Sequence, residues 1–423
     1  MIEPEEAIAS PQFAGSLSNP DHHLRALTGL RAFAAAWVVL FHGSAIFATW
    51  APISAKLLPI TGVGFLGVDL FFALSGFILC HRYLDKLGSQ FSLVETREFL
   101  CLRIARIYPV LVFTLAVFVV YVGILAILGT NTGWDPKLPV SDIPENLLLI
   151  HAWFNQPASW NVPSWSVSME WLAYLTFPIM ALVLFRIACS KHVVIWSMLF
   201  VTVVNVPLFL HIVGFWEFPT ITLYTSPAYG GIVGLSVIRL IAGFGGGCVA
   251  FVLARTWQRS QPEGSSPHRS LTLCVILFTL LAIIMFARSG ATEQTTFTWV
   301  LSPALVLLVA TVGLGGPNVA ILERPFFVKL GIASYSVYMV HWLVYSMVGV
   351  LPGVSIGRSL AARIDIGQQA VIVRSFYCLF SVLLCWIVGL FVWRIVEEPA
   401  RRKLRSFMVS SVRNVPVEER DLR

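Results

Sequence analysis

Charge is scarce in this chain. Asp, Glu, Lys and Arg make up 12% of 423 residues and apolar residues 57%, whereas an average soluble domain carries roughly a quarter charged residues. That balance excludes a water-soluble globule. Cysteines number seven (Cys80, Cys101, Cys189, Cys248, Cys274, Cys378 and Cys385). They are scattered, mostly inside or beside apolar segments, and form no CxxC pair, so they are read as reduced packing residues and not as ligands. There is no HExxH and no P-loop, so neither a metal centre nor a tightly bound cofactor is expected. Met1 to Pro20 is acidic and polar and lacks a basic start leading into an apolar core. No cleavable signal is therefore expected, and the first apolar helix serves as the insertion signal. Neither an internal repeat nor a linker-separated soluble domain is visible. The net charge of +7 sits largely in loops and in the stretch after Pro399, a pattern of membrane orientation and not of nucleic-acid binding.

What the sequence does hold is apolar runs of about 20 residues, the length that crosses a hydrocarbon core of about 30 Å. Ten spans are expected, at 26–48, 62–84, 107–129, 165–186, 193–213, 231–254, 271–287, 296–315, 331–350 and 374–396, giving an all-α, polytopic helical bundle. With both termini on one side, the alternating loops divide Lys and Arg unevenly. One set holds twenty of the 29. The other holds Lys56, Lys137, Arg288, Arg358 and Arg363. The basic set is placed in the cytoplasm, together with both termini and the Arg103/Arg106 loop. A shorter apolar stretch, Asn146 to Phe154, cannot cross and is expected to be re-entrant or interfacial.

Charged or titratable groups inside a bilayer cost several kcal/mol unless paired or hydrated. Arg31, His42, Asp69, Glu170, Arg239 and His341 therefore need reasons for being there. Arg31 and His42 lie eleven residues apart on the first span, which places them on one helical face about 16 Å apart along the axis. One elongated ligand could touch both, with an anion on Arg31 and a reactive group near His42. Asp69 sits in GVDLFFALSGF and wants a cationic partner. Arg31, Arg239 or His42 could supply it, and in the last case Asp69 would orient the imidazole. Arg103 and Arg106, three apart in CLRIARIYP, share a face and can fork onto phosphate oxygens. Lipid headgroup contact is the alternative for that pair.

Ser166, Ser168 and Glu170 stand at the mouth of the fourth span between Trp165 and Trp171. Indoles, hydroxyls and a carboxylate suit a carbohydrate, while Trp also anchors membrane boundaries. Ser334, Tyr338 and His341 fall on one face of the ninth span, a polar stripe that must line a cavity or another helix. Glu397 in VEEPARR is expected to cap the last span or to pair with Arg401 and Arg402. The run Gly243 to Gly247 reads as close helix packing.

Taken together and in this order, these segments resemble the acyltransferase 3 family of membrane acyltransferases, from about Leu27 to Arg402. The arginine followed eleven residues later by histidine is Arg31 and His42, the G-V-D-x-F-F-x-x-S-G-F segment is Gly67 to Phe77, and the arginine cluster before I-x-P is Arg103 to Pro109. W-S-x-S-x-E matches Trp165 to Glu170, S-Y-S-x-Y-x-x-H matches Ser334 to His341, and the closing E-x-P matches Glu397 to Pro399. Ala73 and Val167 stand where bulkier aliphatics are common, Trp393 where tyrosine is frequent, and Leu102 where a further arginine often precedes Arg103. The resemblance divides the chain into an N-terminal tail (1–25), an acyltransferase 3-like transmembrane domain (26–400) and a basic tail (401–423), without the C-terminal hydrolase-like domain of some relatives.

The resemblance implies transfer of acetyl or another short acyl group from acyl coenzyme A to sugars of polysaccharides, lipopolysaccharide, peptidoglycan or small glycosides in a bacterial inner membrane. The expected partners are acyl-CoA, a carbohydrate and membrane lipid, with no nucleic acid. On that reading His42, Asp69 and Glu170 are catalytic, and Arg31, Arg103 and Arg106 hold the donor. Trp165, Ser166, Ser168, Arg239, Ser334, Tyr338 and His341 line the cavity or hold the acceptor. A secondary transporter remains the rival from another class, for which the same intramembrane groups would form a proton or substrate pathway.

Overall fold

In hydrocarbon no water satisfies backbone N–H and C=O groups, so an apolar segment must close its hydrogen bonds within itself, and it does so as a helix. The computed structural model describes residues 20–127, 140–153, 160–212, 236–260, 275–280, 282–283, 294–315, 319–350 and 369–413, and all regular structure among them is helical. In chain order the elements are α1 (Pro20–Trp50), α2 (Pro52–Thr61), α3 (Leu66–Gly88), α4 (Leu93–Ile127), α5 (Ile143–Leu147), α6 (Trp165–Cys189) and α7 (Val193–Ile212). A continuous helix follows, made of α8 (Ser236–Leu240), a π turn (Ile241–Gly245) and α9 (Gly246–Ser260). Next come α10 (Gln294–Leu314), α11 (Pro325–Met347) and α12 (Val371–Val392), which passes through a second π turn (Trp393–Glu397) into α13 (Glu398–Arg413).

Among the described residues six helices are long and apolar enough to cross a membrane: Leu24–Trp50, Leu66–Gly88, Leu93–Ile127, Ser164–Cys189, Pro325–Met347 and Val371–Met408. Val193–Val204 and Leu301–Leu314 are shorter apolar helices. The span expected at 231–254 is described only from Ser236, and most of 271–287 lies outside the described residues. The expected ten are thus not reached among the described residues, but a multi-pass helical membrane protein is. Its periphery agrees with that medium. Ile179, Phe376, Ile387 and Phe391 are each more than 60% exposed, a liability in water and a match to lipid tails.

The bundle is organised around α3 and α11, whose side chains are mostly buried. α11 packs along α1 and α12, while α3 packs on α1, α6, α9 and α10. Glycines permit the tightest of these crossings. A Cβ on Gly247 would lie 2.1 Å from the Ala73 carbonyl oxygen and one on Gly76 2.0 Å from that of Phe244, so α3 and α9 touch backbone to backbone, as expected for Gly243 to Gly247. The stretch before α6 forms α5 and then a turn in which Leu149 adopts a left-handed φ of 61°. Ser168 clasps this turn: its Oγ donates to the Leu149 carbonyl at 2.7 Å and accepts from the Ala152 N–H at 3.3 Å.

Candidate active site

The polar groups that a bilayer would reject collect between α1, α3, α4, α6 and α11, in two connected layers. The first contains the arginines. Arg31 donates through Nε to Ser334 Oγ at 3.3 Å and lies 5.6 Å from the centre of the Phe71 ring. Arg103 donates to the Tyr83 hydroxyl at 3.1 Å, stacks over the rings of Tyr83, Phe99 and Tyr174, and keeps a buried Nε with no partner. Arg31 and Arg106 share as electrostatic neighbours Glu170, Glu397 and the Tyr174 hydroxyl. Three guanidinium groups against two carboxylates leave this layer with an excess of positive charge and free N–H donors, which suits a phosphate-bearing ligand.

Both carboxylates of this layer point inward. Glu170 Oε1 accepts from Ser75 Oγ at 2.8 Å and from the Tyr174 hydroxyl. It is also an electrostatic neighbour of Arg31 and Arg106. Glu397, 2% exposed, accepts from Ser336 Oγ at 2.6 Å. The expected pairing with Arg401 and Arg402 belongs instead to Glu398, at 2.6 and 2.7 Å. Adjacent helical residues point about 100° apart, so at the end of the π turn Glu397 is buried while Glu398 meets the following arginines. Sequence reasoning missed Glu397 as a member of this site. The signal available was its position inside the closing E-x-P of the resemblance.

The second layer holds the histidines. Eleven residues after Arg31, on the same side of α1, His42 meets His341: the His341 Nε2 to His42 Nδ1 distance is 3.0 Å. His42 Nδ1 also lies 3.1 Å from the Val38 carbonyl, and His341 Nδ1 2.5 Å from that of Tyr338. Phe41 and Trp342 flank the His42 ring at 5.0 and 5.1 Å. Arg31 and His42 thus both reach α11, at Ser334 and His341, the two ends of the polar stripe. Between them Tyr338 donates to the Pro163 carbonyl at 2.8 Å and meets Ser166 Oγ at 2.7 Å. Its hydroxyl therefore fixes the entrance of α6.

Asp69 does not orient His42. Arg239 takes both of its oxygens, Nε to Oδ1 at 3.0 Å and Nη2 to Oδ2 at 2.7 Å, in a pair 1–3% exposed. The same guanidinium donates to the Phe65 carbonyl and lies 5.1 Å from the Trp165 ring centre. Asp69, Arg239 and Trp165 therefore form a buried tie between α3, α8 and α6, and the His42 imidazole has a histidine where a carboxylate was expected. Ser168 is likewise occupied by the 149–152 turn. Asn161, not foreseen, bridges to the Met339 carbonyl at 3.0 Å and has a buried Oδ1 without a partner.

Arg31 and His42 thus stand on one side of α1, both engaged by α11, inside a helical membrane bundle. The family model described as an acyltransferase domain matches residues 24–390, and the chain belongs to this acyltransferase 3 family. It is similar to the acyltransferase MdmB of Streptomyces mycarofaciens, 36% identical over 162 residues, covering 37% of this chain and 38% of that protein. It is also similar to protein 2 of the picA locus of Rhizobium radiobacter, 37% identical over 117 residues, 28% of this chain and 55% of that one. A third match is YrhL of Bacillus subtilis (strain 168), whose name proposes a peptidoglycan O-acetyltransferase, 35% identical over 104 residues, 23% of this chain and 14% of that protein. The matched segments thus span little more than half of the second relative's length and less of the other two. No solved structure matches the chain.

Proposed function

We propose that this protein is a membrane O-acyltransferase that moves an acetyl or other short acyl group from acyl-CoA to a sugar hydroxyl in an exopolysaccharide, lipopolysaccharide or related glycan. The observation that carries the reading is the alignment of Arg31 and His42 on one side of α1, each engaged by α11. Phosphates of the donor sit in the arginine layer on Arg103 and Arg106, with Arg31 nearer the thioester arm. His42 takes the proton of the acceptor hydroxyl as its oxygen attacks the thioester carbonyl. The C–S bond then breaks, and the thiolate leaves with that proton. The name of YrhL supports a glycan acceptor. The excess of Lys and Arg on one set of loops supports a bacterial inner membrane location with the arginine layer toward the cytoplasm, where acyl-CoA is made.

The test is acyl transfer by purified protein in detergent, given radiolabelled acetyl-CoA and a mixed pool of envelope glycans, with His42→Ala in parallel. Label in base-labile glycan ester with wild type alone supports the proposal. Absence of transfer from both proteins, with substrate-dependent proton flux in liposomes, would favour a transporter.

A further inference from the structure

The hydrogen bonds around the two histidines assign their protons. A backbone carbonyl only accepts, so His341 Nδ1, 2.5 Å from the Tyr338 carbonyl, is the nitrogen that carries hydrogen. In the neutral ring Nε2 then holds a lone pair. It faces His42 Nδ1 at 3.0 Å, so the proton between the rings belongs to His42 Nδ1. The Val38 carbonyl, 3.1 Å from the same nitrogen, is a second acceptor and specifies the same tautomer. His42 Nε2 is left as the basic nitrogen.

We propose that His341 is the positioning residue for the acyl-transfer base, taking the place that a carboxylate holds beside most catalytic histidines. This rests on the reading of His42 as general base. Its Nε2 accepts the His42 Nδ1 proton, turning the His42 lone pair toward the acceptor hydroxyl. When that hydroxyl's proton arrives on Nε2, His42 becomes an imidazolium, and its Nδ1–H bond to His341 becomes charge-assisted and stronger. His341 remains neutral throughout, still donating to Tyr338. The proton on His42 Nε2 passes to the departing thiolate, so that acyl thioester and alcohol become ester and thiol with no net change in either ring. His341 is fully buried at 0% exposure and already bonded through both nitrogens. It therefore acts through His42 and does not touch the substrate. Without a carboxylate, this dyad presents no competing negative charge to an anionic donor.

Two amides separate this role from packing. Asn at 341 places a polar group near the Nδ1 position and keeps the Tyr338 contact, but falls short of His42. Gln extends to the Nε2 position and restores an acceptor there. His341→Asn is expected to lower kcat by about 10- to 100-fold with the KM for acetyl-CoA within about twofold, and His341→Gln to return kcat to within about fivefold of wild type. A wild-type kcat in the Asn variant overturns the proposal, as does a Gln variant that folds yet is as slow as Asn. Without either variant, imidazole-15N spectra of the wild type, with the His42 signal assigned by its loss in His42→Ala, must show Nδ1 protonated and Nε2 bare; the opposite pattern overturns it too. His42→Ala run in the same assay separates the two readings: if it still transfers acyl groups, the base assignment itself is wrong, whatever His341 does.

Discussion

At the scale of single residues, the partner a buried charge finds decides what it can do. Asp69 and Arg239 satisfy each other, so removing one strands the other in a low-dielectric interior. Asp69→Asn is expected to cost about 3–5 kcal/mol of stability, read as a lowered unfolding temperature in detergent, whereas the double variant Asp69→Leu with Arg239→Met recovers most of it. If the tie is structural, the double variant also recovers acyl transfer; a folded but inactive double variant would restore Asp69 to the catalytic group. In the arginine layer two substitutions should move donor affinity in opposite directions. Arg103→Ala removes a guanidinium and raises the KM for acetyl-CoA with little change in kcat. Glu397→Gln keeps the hydrogen bond from Ser336 but removes a negative charge beside Arg106 and Arg31, and lowers that KM by about 3- to 10-fold, the effect of roughly 1 kcal/mol of relieved repulsion. A fall in kcat with unchanged KM in either variant contradicts a donor-binding layer. The alignment of Arg31 with His42 was legible in the sequence because helix geometry fixes it. Asp69's choice among Arg31, Arg239 and His42 was not, because it depends on how α3 crosses α8.

Elements add what single residues cannot. The crossing of α3 and α9 is set by glycine, since only a missing Cβ lets the Gly247 backbone lie against the Ala73 carbonyl. Gly247→Ala forces the helices apart and is expected to cost about 1–3 kcal/mol, the usual range for overpacking, and to lower the unfolding temperature. A variant as stable as wild type would show that the crossing has room to relax. The sequence showed this packing in the glycine run itself. It did not show the two π turns, because one inserted residue in a helix leaves no compositional mark. Yet the second turn ends at Glu397, the one of two adjacent glutamates that is buried in the site. For the same reason Ser168 read as part of a sugar-binding mouth: its spacing on α6 was visible, but the left-handed turn at Leu149 that it clasps is a tertiary partner 19 residues away.

At the scale of the whole molecule the remaining question is which way the bundle faces, and the proposed chemistry depends on it. Acyl-CoA is cytoplasmic and does not cross a bilayer unaided, so the proposed chemistry requires Arg103 and Arg106 to open to the cytoplasm. The Lys and Arg distribution argues for that arrangement through the cost of moving positive charge outward during insertion. Gln90, in the connection preceding α4, and Ser141, shortly before α5, are both exposed. In a Cys189→Ser background, which removes a native exposed thiol, Ser141→Cys should react with a membrane-impermeant maleimide on intact cells, and Gln90→Cys only after the membrane is opened. The reverse pattern would place the arginine layer where no acyl-CoA reaches it. Arg31, Arg103 and Arg106 would then need a different anion, and His42 a different acyl donor, while the His42–His341 dyad could still serve as a base.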